Sequence, residues 1–262
     1  MIIDFHTHIF PDKIAGKTIA HLAKVSGFTP AFDGTYNGLL GSIEDGKIDL
    51  SIALPVVTKP SQFDSINRFA ASHMEGKVLS FGGIHPDTED YKKDLKQLKE
   101  MGFKGVKLHP DYQGVYFNDI RYKRIVSYAT ELEMIISVHA GVDPLCPDDV
   151  HTTPSMSLEV IKECEPQKLV LAHMGGTALY DEVEDKLIGE NVFFDTAVVL
   201  DKIDEEQFVR MVRNHGADKI LFGTDCPWGG QKEYVHILNA MPLSEREKQL
   251  ILEINARKLL NI

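Results

Sequence analysis

A chain of 262 residues with a formal net charge of -11 is long enough to bury a barrel-sized core. It shows no clustered Lys/Arg stripe, which excludes a phosphate-binding role toward nucleic acid. Cys146, Cys164 and Cys226, without a C-x-x-C, exclude a disulfide framework, and no apolar segment approaches membrane-spanning length. With no signal-peptide pattern before the first strand-like run, a cytoplasmic protein with no nucleic-acid and no membrane partner is expected.

Eight short apolar runs rich in branched residues recur along the chain, at 2–6, 50–55, 78–84, 105–109, 134–139, 169–173, 192–195 and 220–225. The first closes on His6-Thr7-His8. A segment then follows, 11–47, that is longer than a simple crossover. It reads as a helix plus an irregular loop with Phe28, Phe32 and Tyr36, a lid or a subunit contact within the domain. Residues 90–101 carry Tyr91, Leu95, Leu98 and Met101 at helical period. Thr153-Pro154 reads as an N-cap with a first-turn proline, opening a helix over 155–163. Ser244 with Glu247 is a capping-box pattern. Gly76, Gly102 and Gly216 read as helix stops. Continuous apolar strands separated by amphipathic helices predict a parallel sheet covered by helices. Eight such units predict an α/β (β/α)8 TIM-type barrel, a single domain over 1–262.

In such barrels the active site lies at the C-terminal ends of the strands. Here those ends carry polar residues: His6 and His8, His85, Lys107 and His109, His139, His173, Asp195, and Asp225. Alternate residues of a strand share a face, so His6 and His8 project the same way, as two ligands from one strand do. Three imidazoles and a carboxylate hold a divalent metal with a position left for water, whose pKa the metal lowers. Asp225 is suited to accept that water's proton, and His173 to hydrogen-bond the developing charge. A lone strand-end histidine is more often structural; His6, His8, His139 and Asp225 together favour a metal site.

Lys107 shares a strand face with His109 and suits a substrate carboxylate. It is also a candidate for carboxylation and bridging of two metals, or for an ion pair with Asp195. His85 and His109 each precede proline and are candidate substrate contacts or turn residues. His21, His73, His215 and His236 fall in helical stretches and read as surface residues. Cys226 reads as buried. Neither a Gly-x-Ser-x-Gly elbow nor a P-loop is present.

The segments Asp4-Phe5-His6-Thr7-His8, Val138-His139-Ala140-Gly141, Leu171-Ala172-His173-Met174-Gly175-Gly176 and Phe222-Gly223-Thr224-Asp225-Cys226-Pro227-Trp228 resemble the amidohydrolase-related family. This is the amidohydrolase 2 branch of the metal-dependent hydrolase superfamily, and the closing Asn255-Ala256-Arg257-Lys258-Leu259-Leu260 resembles its last helix. The resemblance implies a distorted barrel with a metal at its mouth, held by His6, His8, His139 and Asp225. His173 then stands beside the metal-bound water. One divalent ion per chain is expected, zinc first and manganese second. A two-metal site bridged by a carboxylated Lys107 is the alternative drawn from binuclear relatives. Members include hydrolases of amides and lactones, nonoxidative decarboxylases and hydratases. The decarboxylases of the branch are longer, which tilts the expectation for this compact chain toward hydrolysis. The substrate is expected to be small and anionic, contacted by Lys107, His109 and His85. A homodimer is the base-rate expectation.

Overall fold

A computed structural model describes the whole chain, Met1–Ile262. Nine strands run in chain order: β1 (Ile3–Thr7), β2 (Leu50–Ala53), β3 (Val78–Ser80), β4 (Gly82–Gly83), β5 (Gly105–Leu108), β6 (Ile135–Val138), β7 (Leu169–Leu171), β8 (Phe193–Asp195) and β9 (Ile220–Leu221). All eight predicted runs form strands, most ending one to three residues early, so His8, His85, His109, His139, His173 and Asp225 stand beyond the strand ends while His6, Lys107 and Asp195 lie within the strands. The run at 78–84 is interrupted at Phe81 and gives both β3 and β4. The chain divides into two compact units, one of Met1–Ala53, His73–Leu79 and Asp195–Ile262, the other of Leu54–Ser72 and Ser80–Phe194.

The first unit is organised around β1, whose five residues are all buried. It pairs in parallel with β2 in the register Ile3↔Leu50, Asp4↔Ser51 and Thr7↔Ala53, with an irregularity between Asp4 and Thr7. On its other edge the Phe5 N–H donates to Phe222 O at 2.8 Å, the Asp225 N–H to His6 O at 2.7 Å, and the His8 N–H to Cys226 O at 2.7 Å. The chain after β9 therefore continues beside β1 although it is no longer regular strand. Burial on both faces explains why β1 reads as one apolar run rather than as an alternation.

The predicted irregular segment after β1 is corrected here to two helices, Asp12–Ser26 and Tyr36–Gly46. The first ends on Gly27 at φ 73, which a left-handed cap requires. The second begins on Thr35, whose side chain accepts from the Gly38 N–H. The Ser244/Glu247 capping box forms with both of its hydrogen bonds. His215 is buried at the end of the helix Glu205–His215, against the surface position expected; that helix carries Phe208, Val209, Met211 and Val212 on the same buried side.

The second unit is a parallel ladder from β4 to β8. Its registers include Gly83↔Lys107, Lys107↔Ser137, Val138↔Leu171 and Leu171↔Phe194. Val106, Leu108, Ile136, Val138, Val170 and Phe194 are fully buried in it. The helix Tyr91–Glu100 starts on Asp90, which accepts from the Lys93 N–H, and the helix Pro154–Cys164 on Thr153, which accepts from the Met156 N–H. No helix of the chain is long and apolar enough to cross a membrane.

Candidate metal centre

In the first unit the end of β1 and the segment after β9 bring three donor atoms together. His6 Nε2 lies 3.2 Å from His8 Nε2 and 3.3 Å from Asp225 Oδ1, and His8 Nε2 lies 2.9 Å from that same oxygen. Bonds of about 2.0–2.1 Å to a tetrahedral zinc set ligand atoms about 3.3 Å apart. The observed spacing fits a small divalent cation, which gives three electron-rich atoms one common partner.

Behind the cluster, His6 Nδ1 meets Asp195 Oδ2 at 2.9 Å, with both side chains buried. An ionised carboxylate only accepts, so Nδ1 carries the hydrogen and Nε2 keeps its lone pair for the cluster. Asp195, considered from sequence as a partner of Lys107, thus orients the His6 ring toward the cluster.

Backbone geometry supports the arrangement. Asp225 sits at φ 61, in the left-handed region that few non-glycine residues adopt. A side chain at Gly223 would meet His6 Cβ at 3.0 Å, so only glycine lets this segment pass so close. Asp4 joins the segments that carry His6 and Asp225. Its Oδ1 accepts from the N–H groups of His6 (3.2 Å) and Thr224 (3.0 Å), and its Oδ2 accepts from Thr224 Oγ1 (2.6 Å) and Gln231 Nε2 (2.7 Å). Burial pushes the Asp4 carboxyl up to about 7 despite these four donors.

In the second unit the ends of β5, β6 and β7 form a histidine cluster. His139 Nδ1 lies 3.0 Å from His173 Nε2. The His109 ring is stacked between Tyr112, at 3.8 Å and 13°, and His139, at 4.2 Å and 6°. Asp143 Oδ2 stands 3.7 Å from His109 Nε2 and 3.8 Å from His139 Nε2, and Asp111 Oδ2 stands 3.7 Å from His139 Nε2. His173 and Met174 are both left-handed, at φ 58 and 54, so the turn after β7 is held in a conformation few side chains adopt unaided. Lys107 is only 1% exposed on β5.

The two His-Pro histidines differ from metal ligands in how their Nδ1 atoms are used. His109 Nδ1 accepts from the Tyr112 N–H at 3.4 Å, capping the helix Pro110–Gln113, and His85 Nδ1 accepts from the Asp87 N–H at 3.1 Å. In the neutral ring the hydrogen then sits on Nε2, which makes each a donor. Burial lowers the His85 pKa, and the Thr58 backbone is among its hydrogen-bond partners. His85 therefore holds its own turn with backbone partners. His109 is the one of the pair that points its donor into the cluster.

Sequence reading passed over Asp111, Asp143 and Gln113. Gln113 Nε2 donates to Val57 O (2.7 Å) and Ile84 O (2.8 Å), and its Oε1 accepts from Tyr122 Oη (2.6 Å) and the His109 N–H (3.1 Å). The signal was their spacing from a strand-end histidine: two and four residues beyond His109, and four beyond His139.

Comparison with solved structures shows the class of fold, a TIM-type α/β barrel. A 2,6-dihydroxybenzoate decarboxylase complexed with 2,6-dihydroxybenzoate is similar at 17% identity and TM-score 0.77, over 100% of this chain and 99% of that one. An uncharacterised TIM-barrel protein from Bordetella bronchiseptica is similar at 17% and TM-score 0.79, over 99% and 98%. A 5-carboxyvanillate decarboxylase from Novosphingobium aromaticivorans with bound manganese is similar at 15% and TM-score 0.74, over 100% and 97%. No curated protein sequence matches. The chain belongs to the amidohydrolase family, whose profile matches residues 3–262, and is an enzyme of the amidohydrolase superfamily.

Proposed function

We propose that this protein is a metal-dependent hydrolase of a small anionic substrate, acting on an amide, lactone or similar bond. The observation that carries the reading is the convergence of His6 Nε2, His8 Nε2 and Asp225 Oδ1 within 3.3 Å of one another, backed by Asp195 on His6. His139 is taken as the further ligand on the family resemblance. A divalent cation bound by this set supplies a Lewis acid and a water of lowered pKa.

The chain's own residues have separate tasks. Asp225 accepts the proton of the attacking water and returns it to the leaving group. His173 donates a hydrogen bond to the charge that develops on the carbonyl oxygen. Lys107 is buried on β5, and as a compact cation it pairs with a substrate carboxylate. His109 offers Nε2–H to the same anion. With one metal per chain, zinc or manganese, Lys107 would serve as this substrate contact; with two, it would be the candidate for carboxylation.

A second reading, nonoxidative decarboxylation on the same metal, is favoured by the decarboxylases among the similar folds. Their chains are covered to 97–99% by this one, so the argument from compactness loses force. One assay separates the two. Candidate lactones, N-acyl amino acids and hydroxybenzoates are incubated with manganese- or zinc-loaded protein in 18O-water. Label in the product acid supports hydrolysis; released carbon dioxide with no label in the organic product supports the lyase. Asp225→Asn is expected to lower turnover by about 10²–10⁴-fold, and retention within tenfold would overturn its role as proton carrier.

A further inference from the structure

Asp111 occupies the first turn after β5, and its side chain is fully buried. One oxygen is held firmly: Oδ1 accepts from the His151 N–H at 3.2 Å and lies 3.3 Å from His151 Nδ1. The other, Oδ2, is buried with no hydrogen-bond partner, and it lies 3.7 Å from His139 Nε2. A buried carboxylate oxygen without a donor costs more than almost any other polar group, so such an atom marks an interaction the site is built to make. Because Oδ1 is pinned by His151, the carboxylate cannot turn away, and its free oxygen keeps facing His139.

We infer that Asp111 is a positioning residue for His139: Oδ2 takes the hydrogen on His139 Nε2 and so leaves the Nδ1 lone pair directed at the His173 side. This rests on the reading of His139 as a ligand only for its consequence, not for the tautomer itself. A hydrogen bond needs about 2.9 Å, so the two groups close by less than an ångström to make it. The pair repeats in the second unit what Asp195 does for His6 in the first, where a buried carboxylate faces the ring nitrogen opposite the cluster. Asp143 is the rival acceptor. Its Oδ2 is placed almost equally from His109 and His139, at 3.7 and 3.8 Å, and its Oδ1 accepts from the Leu145 N–H at 2.8 Å. It therefore divides between two imidazoles, while Asp111 faces one.

Asparagine at position 111 gives a sharp test. Its oxygen has to stay on the His151 backbone N–H, since the His151 Nδ1 hydrogen is shared with Asp149 O at 2.8 Å, and this leaves the amide NH2 facing His139 Nε2. A donor there forces Nε2 to accept and moves the ring hydrogen to Nδ1. Full-length protein labelled with 15N-histidine is compared by long-range 1H–15N spectra after metal stripping and again after zinc loading, with His139→Gln used to assign the signals. The wild type is expected to carry the hydrogen on Nε2, Asp111→Asn on Nδ1, and Asp143→Asn to match the wild type. Zinc affinity, measured by chelator competition, is expected to fall about 10–100-fold in Asp111→Asn. A wild-type His139 protonated on Nδ1, or a tautomer unchanged by Asp111→Asn, overturns the proposal. Should Asp111→Asn not fold, the wild-type spectrum alone decides. If His139→Gln binds zinc as tightly as the wild type, the ligand reading fails while the tautomer result stands by itself.

Discussion

Asp4 shows how a single side chain can serve two strands at once. Four donors converge on it: the His6 N–H, the N–H and hydroxyl of Thr224 beside Asp225, and the side-chain amide of Gln231 on the helix Gln231–Ala240. Burial outweighs those donors and pushes its carboxyl up to about 7. The unfolded chain releases this proton near pH 4, so between about pH 4 and 7 the folded state binds more protons than the unfolded one. Stability therefore falls as pH rises through that window, by up to about 1.4 kcal/mol per pH unit. Urea midpoints of metal-free wild type and Asp4→Asn between pH 5 and 8 check this. The wild type is expected to lose ground to the variant as pH rises up to about 7, whereas parallel profiles would contradict it. At this scale the sequence was informative where several such residues coincide: a lone strand-end histidine says little, but His6, His8 and Asp225 stood out together, and the structure brings their donor atoms together. The supporting carboxylates did not stand out. Asp4, Asp111 and Asp143 look in sequence like ordinary acids, and only burial and direction distinguish them. Strand-end position alone does not reveal that the Asp87 N–H already engages the Nδ1 atom of His85.

At the level of elements, the apolar runs announced the strands because parallel strands are buried on both faces and leave no polar alternation. What they did not announce is where each ladder stops. β7 ends at Leu171 and β9 at Leu221, well before the polar residues that follow, because those residues sit in turns with left-handed backbone at His173, Met174 and Asp225. The two helices between β1 and β2 were half missed, since Gly38, Gly41 and Gly46 weaken the helical signal of Tyr36–Gly46. Gly141 shows a constraint that only the connection explains. It lies two residues past His139 at φ 86, and a Cβ there would stand 2.0 Å from the Thr177 backbone nitrogen. The Thr177 N–H donates to Ala140 O at 3.0 Å and the Val142 N–H to Thr177 O at 3.0 Å, so this backbone crossing ties the turn after β6 to the turn after β7. Gly141→Ala combines a left-handed strain with a backbone clash, and is expected to cost more than about 1–3 kcal/mol. A melting temperature within 2 °C (roughly 0.5–1 kcal/mol by the usual scaling) of the wild type would refute that.

For the whole molecule the governing quantity is charge. A net charge of -11 favours cation uptake over anion binding in general, yet the candidate substrate is an anion, so binding it needs local positive charge that the composition does not supply. A divalent cation at His6, His8 and Asp225 would supply such charge in the first unit, and the buried Lys107 supplies it in the second. A cation bound at His6, His8 and Asp225 would tie folding to metal supply. Its three identified donors come from residues 6, 8 and 225, which share one neighbourhood only in the folded chain, so the unfolded chain offers no comparable site and binding adds directly to stability. At a free metal concentration of 100 times the dissociation constant the gain is about 2.7 kcal/mol, which for a chain of this size corresponds to roughly 5–10 °C in melting temperature. Stripping with a chelator and restoring with zinc or manganese is expected to lower and then recover the midpoint by that amount. His8→Ala is expected to abolish the response while leaving the metal-free midpoint within a few degrees, since His8 lies past the end of β1 and is only partly buried. A midpoint indifferent to chelator and to added metal in the wild type would remove the metal from the account of both stability and chemistry.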